Sequence, residues 1–277
     1  MNQVLSGIDY ALAGLYDAAE LVSVKKALCL ELLGISTISY YTRETLPPDA
    51  DRDRKLKDAL ARLVRREPLQ YVIGYAPFCG LTFKVDGRVL IPRPETAELV
   101  EWVARECGAQ GSLLDIGTGS GCIAVTLARK LPGWNVRGWD ISDCALELAV
   151  ENSRLNGADV DFGKVDILDV PEQAYRFDVI VSNPPYVLEQ EAAQMDRNVL
   201  DYEPHSALFV PDSDPLLYYR AIAGFGIRAL SKGGRLYLEI NPLEAHAMKQ
   251  MLLNAGYHDI ELRNDIFGKQ RMIKAIL

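Results

Sequence analysis

The feature that most constrains the fold of this chain is the glycine run GTGSG at positions 117–121. It follows a short apolar segment, 112–116, and it precedes a segment, 123–128, in which apolar residues recur at helical spacing. A strand, a glycine loop and a helix in this order form a nucleotide-binding unit, because small loop residues let a ligand approach the backbone closely. A dinucleotide fingerprint would place its third glycine at position 122, where this chain has Cys122.

The tetrapeptide Asn183-Pro184-Pro185-Tyr186 is the second constraint, and it directly follows the apolar run 177–182. The run is short and β-branched, so it predicts a buried central strand that ends where the tetrapeptide begins. Active sites in open α/β sheets lie at the carboxyl ends of the strands. The tetrapeptide is therefore a candidate active site, although a Pro-Pro turn that simply closes a strand would look the same.

These four residues suit a planar NH2 group, such as an amide or the exocyclic amine of a base. The side-chain oxygen of Asn183 can accept one N–H, and the carbonyl of Pro184 can accept the other, because the two prolines lack N–H groups and hold that carbonyl rigid. Tyr186 offers an aromatic face. Two acceptors would stabilise positive charge that develops on the nitrogen during attack on an electrophilic methyl, each by about 3 kcal/mol by analogy with oxyanion-hole groups.

Composition narrows the class of protein. The chain has 277 residues, 49% hydrophobic content and a net charge of −8, which suit a globular protein of one large and one small domain and disfavour reliance on non-specific phosphate binding. No segment is apolar over the roughly 18 residues of a membrane span, and residues 1–14 lack the pattern of a signal peptide, so we expect a cytoplasmic location. The five scattered cysteines and three separated histidines predict reduced thiols and no metal site.

The first 76 residues predict a separate bundle of about four short helices. Apolar residues recur at helical spacing from 8 to 64, Gly34 stands where a helix ends, and a Pro-Pro pair at 47–48 interrupts the pattern. The helix expected over 51–66 carries a densely charged face. That face is either a solvated surface or a surface that docks a partner.

The segment 67–98 connects this bundle to the glycine loop. Asp86-Gly87 lies between two β-type runs, 78–85 and 88–91, and predicts a hairpin that turns at this dipeptide. Two prolines flank Arg93, so its side chain is presented from a stiff loop. Pro94 then opens a helix over 97–107.

The connector and the tetrapeptide together resemble one family. PLQY at 68–71, LIPRPET at 90–96 and NPPY at 183–186 are similar to the peptide-chain release factor N5-glutamine methyltransferases, also called HemK or PrmC, over essentially the whole chain. The family often has an acidic residue at position 97, where this chain has Ala97.

The resemblance implies an α/β fold with two domains. A Rossmann-like, seven-stranded class I methyltransferase domain would occupy 93–277. A β-hairpin connector, 77–92, would join it to an N-terminal helical substrate-docking domain, 1–76. We expect an irregular loop over 187–214. The remaining elements are expected as a helix over 216–230, a strand over 235–240, a helix over 242–254 and a closing antiparallel hairpin of strands 259–262 and 272–276.

The spacing Asp115-x-Gly-x-Gly-x-Gly is similar to the first motif of S-adenosylmethionine-dependent methyltransferases, in which the loop wraps the methionine part of the cofactor. Asp140 follows the strand predicted over 135–139 and is placed to accept hydrogen bonds from both ribose hydroxyls. Asp166 and Ile167 follow a strand-like run where such proteins bind adenine. The expected cofactor-binding residues are Asp115, Gly117, Thr118, Gly119, Ser120, Gly121, Asp140, Asp166, Ile167 and Asn183.

The resemblance implies methyl transfer from S-adenosyl-L-methionine to the amide nitrogen N5 of the glutamine in the Gly-Gly-Gln motif of class 1 peptide release factors. S-adenosyl-L-homocysteine would be the second product. The expected catalytic and substrate-binding residues are Asn183, Pro184, Pro185 and Tyr186, and Arg93 is a further expected substrate-binding residue. We expect a monomer that binds neither nucleic acid stably nor a membrane.

Other functions remain open at this point. An adenine-N6 nucleic-acid methyltransferase could hold its base with the same tetrapeptide, although it would call for a basic groove. A glutamine methyltransferase that acts on a ribosomal protein has the same chemistry. A cofactor-binding scaffold without catalysis would tolerate the loss of Asn183.

Overall fold

The computed structural model describes residues 1–172 and 174–277, which divide into two compact units. The first unit consists of Met1–Tyr75 and Asp196–Tyr202, and the second of Ala76–Met195 and Glu203–Leu277. The domain limits expected above, 1–76, 77–92 and 93–277, stay a prediction. In the described ranges, no helix combines the length and the apolar character that a membrane span requires.

The first unit is helical. Its α-helices up to residue 75 are α1 (Asn2–Ala11), α2 (Ala18–Ala27), α3 (Thr37–Thr42), α4 (Ala50–Val64) and α5 (Leu69–Ile73), and a π-helical turn, Leu28–Leu32, continues α2. Asp17, Ser36 and Asp49 begin α2, α3 and α4 by accepting backbone N–H groups of the first turn. Gly34 follows the π-helical turn with φ +63°, so the expected helix stop is confirmed.

The apolar faces of these helices meet in one core, in which Leu12, Leu28 and Leu63 are fully buried. A short helix, Arg197–Tyr202, belongs to the same unit although it comes much later in the chain. The Tyr202 hydroxyl donates to the carbonyl of Arg65 at 2.8 Å. Part of the segment expected to be an irregular loop is therefore an ordered element of the helical unit.

The connector forms a hairpin, but the turn does not lie at Asp86-Gly87 as predicted. Strands β1 (Tyr75–Phe78) and β2 (Leu81–Lys84) pair around Cys79 and Gly80. These two residues have φ of 49° and 79°, and positive φ at both central positions is what a two-residue hairpin turn of type I′ requires.

Asp86 forms a local turn instead. Its carboxylate accepts a hydrogen bond from the backbone N–H of Arg88 at 3.0 Å and pairs with the guanidinium of the same residue at 2.7 Å. Residues 88–91 form no strand. Asp86-Gly87 therefore lies in a turn, as its sequence indicates, but no second strand follows it.

The second unit is built on a sheet that has seven strands in the described part of the chain. The order is β10-β11-β9-β6-β3-β4-β5, in which β10 and β11 are antiparallel to each other, β11 is antiparallel to β9, and the other neighbours are parallel. The strands are β3 (Gly111–Ile116), β4 (Trp134–Asp140), β5 (Asp161–Lys164), β6 (Phe177–Ser182), β9 (Leu230–Glu239), β10 (His258–Asn264) and β11 (Gln270–Ile276), while β7 (Val187–Leu188) and β8 (Phe209–Val210) form a separate parallel pair. The predicted sheet with its closing hairpin is confirmed.

Helices cover both faces of this sheet because buried strands carry apolar residues on both sides. Leu114, Ile180 and Leu236 face one core with the helices Leu217–Ala229 and Ala245–Asn254, and the neighbouring Leu113 and Val179 face the other core with the helices Pro94–Glu106 and Cys122–Lys130. The helices of this unit are α6 (Pro94–Glu106), α7 (Cys122–Lys130), α8 (Asp143–Leu155), α10 (His205–Leu208), α11 (Leu217–Ala229) and α12 (Ala245–Asn254), and the Arg197–Tyr202 helix of the first unit is α9. Full burial of each such aliphatic side chain stabilises the fold by about 1.5–3 kcal/mol.

Two expectations about the second half need correction. Strand β9 begins at Leu230, so Ser231 to Gly234, expected to be a helix end before a strand at 235, lie inside the strand. The region 187–214, expected to be irregular, contains β7, a 3₁₀ turn at Glu189–Gln194, α9, α10 and β8. Elements of two to six residues carry too little periodicity to be seen in a sequence.

Candidate active site

The carboxyl ends of three adjacent parallel strands bring the predicted site residues together. Strand β3 lies between β4 and β6, and the last residues of β3 and β6, Ile116 and Ser182, are directly paired. The Ser182 hydroxyl donates to the Ile116 carbonyl at 2.6 Å, which fixes the two strand ends to each other. The glycine loop, Asp140 and the tetrapeptide therefore start from one edge of the sheet.

The glycine loop needs its glycines for their backbone conformation. Gly117, Gly119 and Gly121 have φ of +72°, +53° and +79°, and residues other than glycine adopt such positive angles only at a cost in free energy. The N–H groups of Gly117 and Thr118 both donate to the Trp139 carbonyl, at 2.8 and 2.9 Å. A Cβ at Gly117 or Gly119 would meet no atom within 4 Å, so open space lies beside the loop and can hold a ligand.

Asp115 is a buried acid whose hydrogen-bonding capacity is only half used. One carboxylate oxygen accepts from the Thr118 hydroxyl at 2.6 Å and from the Ala124 N–H at 3.2 Å. Among the described residues, the other oxygen has no partner, and neither has the buried hydroxyl of Ser120. Burial raises the pKa of Asp115 to about 7. A buried carboxylate oxygen without a donor fits a ligand that brings a cationic N–H donor.

Asp140 holds the loop and keeps capacity for a ligand. Its two oxygens accept from the N–H of Gly119 at 2.8 Å and from the N–H of Ser142 at 3.0 Å. Each oxygen has a second lone pair, so the carboxylate can still accept hydrogen bonds from a pair of neighbouring hydroxyls. Binding of ribose by Asp140 stays a prediction.

Asp166 and Ile167 follow β5 in a segment that runs beside Asp140, because the Val165 N–H donates to the Asp140 carbonyl at 3.0 Å. The Asp166 carboxylate accepts from the Leu168 N–H at 2.9 Å, and Ile167 packs partly buried against the sheet core. The structure thus brings both residues to the same edge as Asp140. Their contact with an adenine ring stays a prediction.

The two acceptors expected in the tetrapeptide are both available. Asn183 donates from Nδ2 to the hydroxyl of Thr96 at 3.1 Å. Its Oδ1, and the carbonyl oxygen of Pro184, accept no hydrogen bond from any residue that the structure describes. A planar NH2 group that enters here can give one proton to each of these oxygens.

Tyr186 is held by its hydroxyl, which donates to Oε1 of Glu239 at 3.0 Å. On the other side, Nη1 of Arg271 donates to the same hydroxyl at 3.4 Å, and the guanidinium carbon lies 5.8 Å from the ring centroid. Burial, more than any charge, raises the pKa of the Tyr186 phenol far above its ordinary value. The phenol therefore stays neutral and acts as a hydrogen-bond donor.

Sequence reasoning missed Glu239 and gave Thr96 no role of its own. Both side chains are buried, with exposures of 1% and 2%, and the Thr96 hydroxyl donates to Oε2 of Glu239 at 2.6 Å. Burial raises the pKa of Glu239. The signal that could have found it is an acid at the end of an otherwise apolar central strand, since such acids are rarely buried unless they are paired.

Arg93 precedes α6 and is engaged within the chain. Its Nη2 lies 2.6 Å from Oε1 of Glu203, whose other oxygen accepts from the Ile91 N–H at 3.1 Å. The Glu203 side chain is 1% exposed, while that of Arg93 is 31% exposed. A direct contact between Arg93 and substrate stays a prediction. The described residues contain no group of three or more His, Cys, Asp or Glu side chains that could hold a metal ion.

Two family models match the chain. The model described as the methyltransferase small domain matches residues 94–201, and the model described as the PrmC N-terminal domain matches residues 11–74. The first covers the tetrapeptide and the glycine loop. The second lies within the helical unit.

Several curated proteins are similar over most of their length. A protein of Bacteroides thetaiotaomicron named release factor glutamine methyltransferase is 44% identical over 276 residues, which are 99% of each chain. Proteins with the same name from Flavobacterium psychrophilum and Lactococcus lactis are 41% and 44% identical, and the matches cover 95% and 80% of this chain and 94% and 83% of those proteins.

Solved structures share the fold at low identity. A methyltransferase from Pyrococcus furiosus has a TM-score of 0.52 and 16% identity, over 82% of this chain and 98% of that one. The 16S rRNA N2 G1207 methyltransferase of T. thermophilus, solved with AdoMet and guanosine, has a TM-score of 0.53 and 17% identity, over 73% of this chain and 49% of that one. At these identities the likeness shows the methyltransferase fold alone.

Proposed function

The chain belongs to the release factor glutamine methyltransferase family, and on that premise we propose that it methylates the side-chain amide nitrogen N5 of the glutamine in the Gly-Gly-Gln motif of class 1 peptide release factors. The observation that carries the proposal is the pair of unengaged acceptors, Oδ1 of Asn183 and the carbonyl oxygen of Pro184. A primary amide has two N–H donors, so these two oxygens match it in number and kind.

S-adenosyl-L-methionine is the cofactor, and it supplies an electrophilic methyl group. The residues that would hold it fit its chemistry. The unpartnered oxygen of Asp115 suits an ammonium group, the carboxylate of Asp140 suits ribose hydroxyls, and the open space beside Gly117 and Gly119 leaves room for a ligand against the backbone. Asp166 and Ile167 are the candidates for the adenine.

The chain's own residues orient the glutamine amide. Asn183 and Pro184 each accept one amide proton, Pro184 and Pro185 together hold the Pro184 carbonyl rigid, and the Tyr186 ring packs on the amide plane. Positive charge that grows on the nitrogen strengthens both hydrogen bonds, which lowers the barrier. No strong general base is needed, because a positively charged amide nitrogen loses a proton readily.

The experiment that tests this function is mass spectrometry of candidate substrates, before and after digestion. A class 1 release factor, ribosomal proteins and duplex DNA would be incubated in parallel with the enzyme and cofactor. We expect one added methyl, located on the Gly-Gly-Gln peptide, and no methyl on a release factor in which that glutamine is replaced by alanine. Methyladenine in the DNA with an unmodified release factor would move the assignment to adenine-N6 methylation, and methyl on a ribosomal protein alone would move it to that substrate.

We place the enzyme in the cytoplasm, where release factors act on the ribosome, and we propose that it works as a monomer without stable binding to nucleic acid. The net charge of −8 supports the last point, because a nucleic-acid enzyme depends on basic surface to bind phosphates. The N-terminal helical unit is the candidate for docking the release factor.

A further inference from the structure

Glu239 is a buried acid at the carboxyl end of β9 whose two oxygens serve two different residues of the site. Oε2 accepts from the Thr96 hydroxyl at 2.6 Å, and Oε1 accepts from the Tyr186 hydroxyl at 3.0 Å. Burying a carboxylate costs free energy unless it is hydrogen-bonded, so these two bonds explain how the core can accommodate Glu239. Arg271 is a cation close to this group, and it contacts the Tyr186 hydroxyl rather than the carboxylate in the described structure.

The bond to Thr96 decides which way the Asn183 amide faces. A hydroxyl has one hydrogen, and Thr96 directs it to Glu239, so the Thr96 oxygen presents only lone pairs to its other neighbour. The 3.1 Å contact from Asn183 must then come from Nδ2. With the amide flipped, Oδ1 would face those lone pairs with no hydrogen between them. The Thr96–Glu239 pair therefore keeps Oδ1 of Asn183 turned toward the incoming substrate.

The bond to Tyr186 fixes the second functional side chain. The phenol is neutral because burial raises its pKa, so it has one hydrogen, and Oε1 of Glu239 is its acceptor. The Tyr186 ring then has a set direction relative to Asn183. One carboxylate thus couples a residue that binds the amide protons to a residue that packs on the amide plane.

We propose that Glu239 and Thr96 are positioning residues for methyl transfer, which orient Asn183 and Tyr186 through the shared carboxylate; the inference rests on the proposed function. Neither residue needs to contact the substrate, because each acts through Asn183 or Tyr186. Their loss should lower kcat, because the acceptor is misdirected in the transition state, and should leave KM for the release factor and the dissociation constant of the cofactor nearly unchanged.

The first test uses the matched pair Thr96→Val and Thr96→Ser. Valine keeps the shape and removes the hydroxyl, so we expect kcat to fall about tenfold or more, with KM and cofactor affinity within about threefold. Serine keeps the hydroxyl, so kcat should return to within about threefold of wild type. Wild-type kcat in Thr96→Val, or no rescue by a folded Thr96→Ser, would overturn the proposal.

The second test combines Thr96→Val with Glu239→Gln, which retains volume but replaces one acceptor oxygen by an NH2 donor. If Glu239 acts on Asn183 through Thr96, the two losses should not multiply, and the double variant should lie close to the poorer single variant. Fully multiplicative losses of kcat would contradict the action of Glu239 on Asn183 through Thr96. Melting temperatures of all variants report folding, and Glu239→Gln decides the matter if Thr96→Val does not fold.

The activity of the wild-type enzyme distinguishes a failure of this inference from a failure of the proposed function. If wild type methylates the release factor and the variants keep its kcat, the positioning role fails and the function stands. If wild type does not methylate the release factor at all, the proposed function fails and the inference falls with it.

Discussion

At the scale of single residues, the site is defined by which polar atoms are left without a partner. Asn183 and Pro184 keep free acceptors for an amide, and Asp115 keeps a free oxygen in a fully buried position. The acceptors could be predicted from four consecutive residues. Their orientation could not, since it depends on Thr96, 87 residues from Asn183 in the chain, and on Glu239, 53 residues from Tyr186.

We expect Asp115→Asn to change how stability depends on pH. Burial raises the pKa of Asp115 from 3.8 to about 7, so the folded chain keeps a proton that the unfolded chain has lost. The stability that this group contributes is complete below about pH 4 and is lost as pH rises through 7. Urea titrations should show the unfolding free energy of wild type falling by roughly 2–3 kcal/mol more than that of the variant between pH 5 and 8. Parallel curves for the two proteins would refute the assignment.

At the scale of elements, the sequence was most informative where segments are long and periodic. The strands that lead into the glycine loop and the tetrapeptide, and the helix opened by Pro94, lie where their patterns indicated. The hairpin turn was misplaced because Cys79, which carries no turn signal in the sequence, adopts a positive φ ahead of Gly80. The short elements of 187–214 depend on tertiary contacts such as the one from Tyr202.

One such contact is the buried carboxylate of Glu203, which fixes the end of that region to the segment before α6. Glu203→Ala removes the acceptor of the Ile91 N–H and the partner of Arg93, and we expect a loss of about 1–3 kcal/mol in unfolding free energy, or a few degrees in melting temperature. Glu203→Gln keeps an acceptor for Ile91 and should lose less. Equal melting temperatures for the three proteins in calorimetry would show that this contact does not stabilise the fold.

At the scale of the whole molecule, cofactor binding and folding are coupled, because a ligand that binds only the folded state raises its stability. S-adenosyl-L-methionine at about a hundred times its dissociation constant should stabilise wild type by about 2.7 kcal/mol. Asp140→Ala removes both the loop contact and the expected ribose acceptor, so its melting temperature should not respond to the same concentration. A response equal to that of wild type would remove Asp140 from the cofactor site.

The role of Asn183 can be measured by single-turnover methylation of a release factor by Asn183→Ala, with the cofactor dissociation constant measured in parallel. If Asn183 acts mainly by accepting an amide proton of the reacting glutamine at Oδ1, and its expected contact with the cofactor contributes little affinity, the rate of methyl transfer should fall by about a hundredfold or more while cofactor affinity changes by less than about threefold. A wild-type rate, or a loss of rate matched by an equal loss of cofactor affinity, would contradict the account.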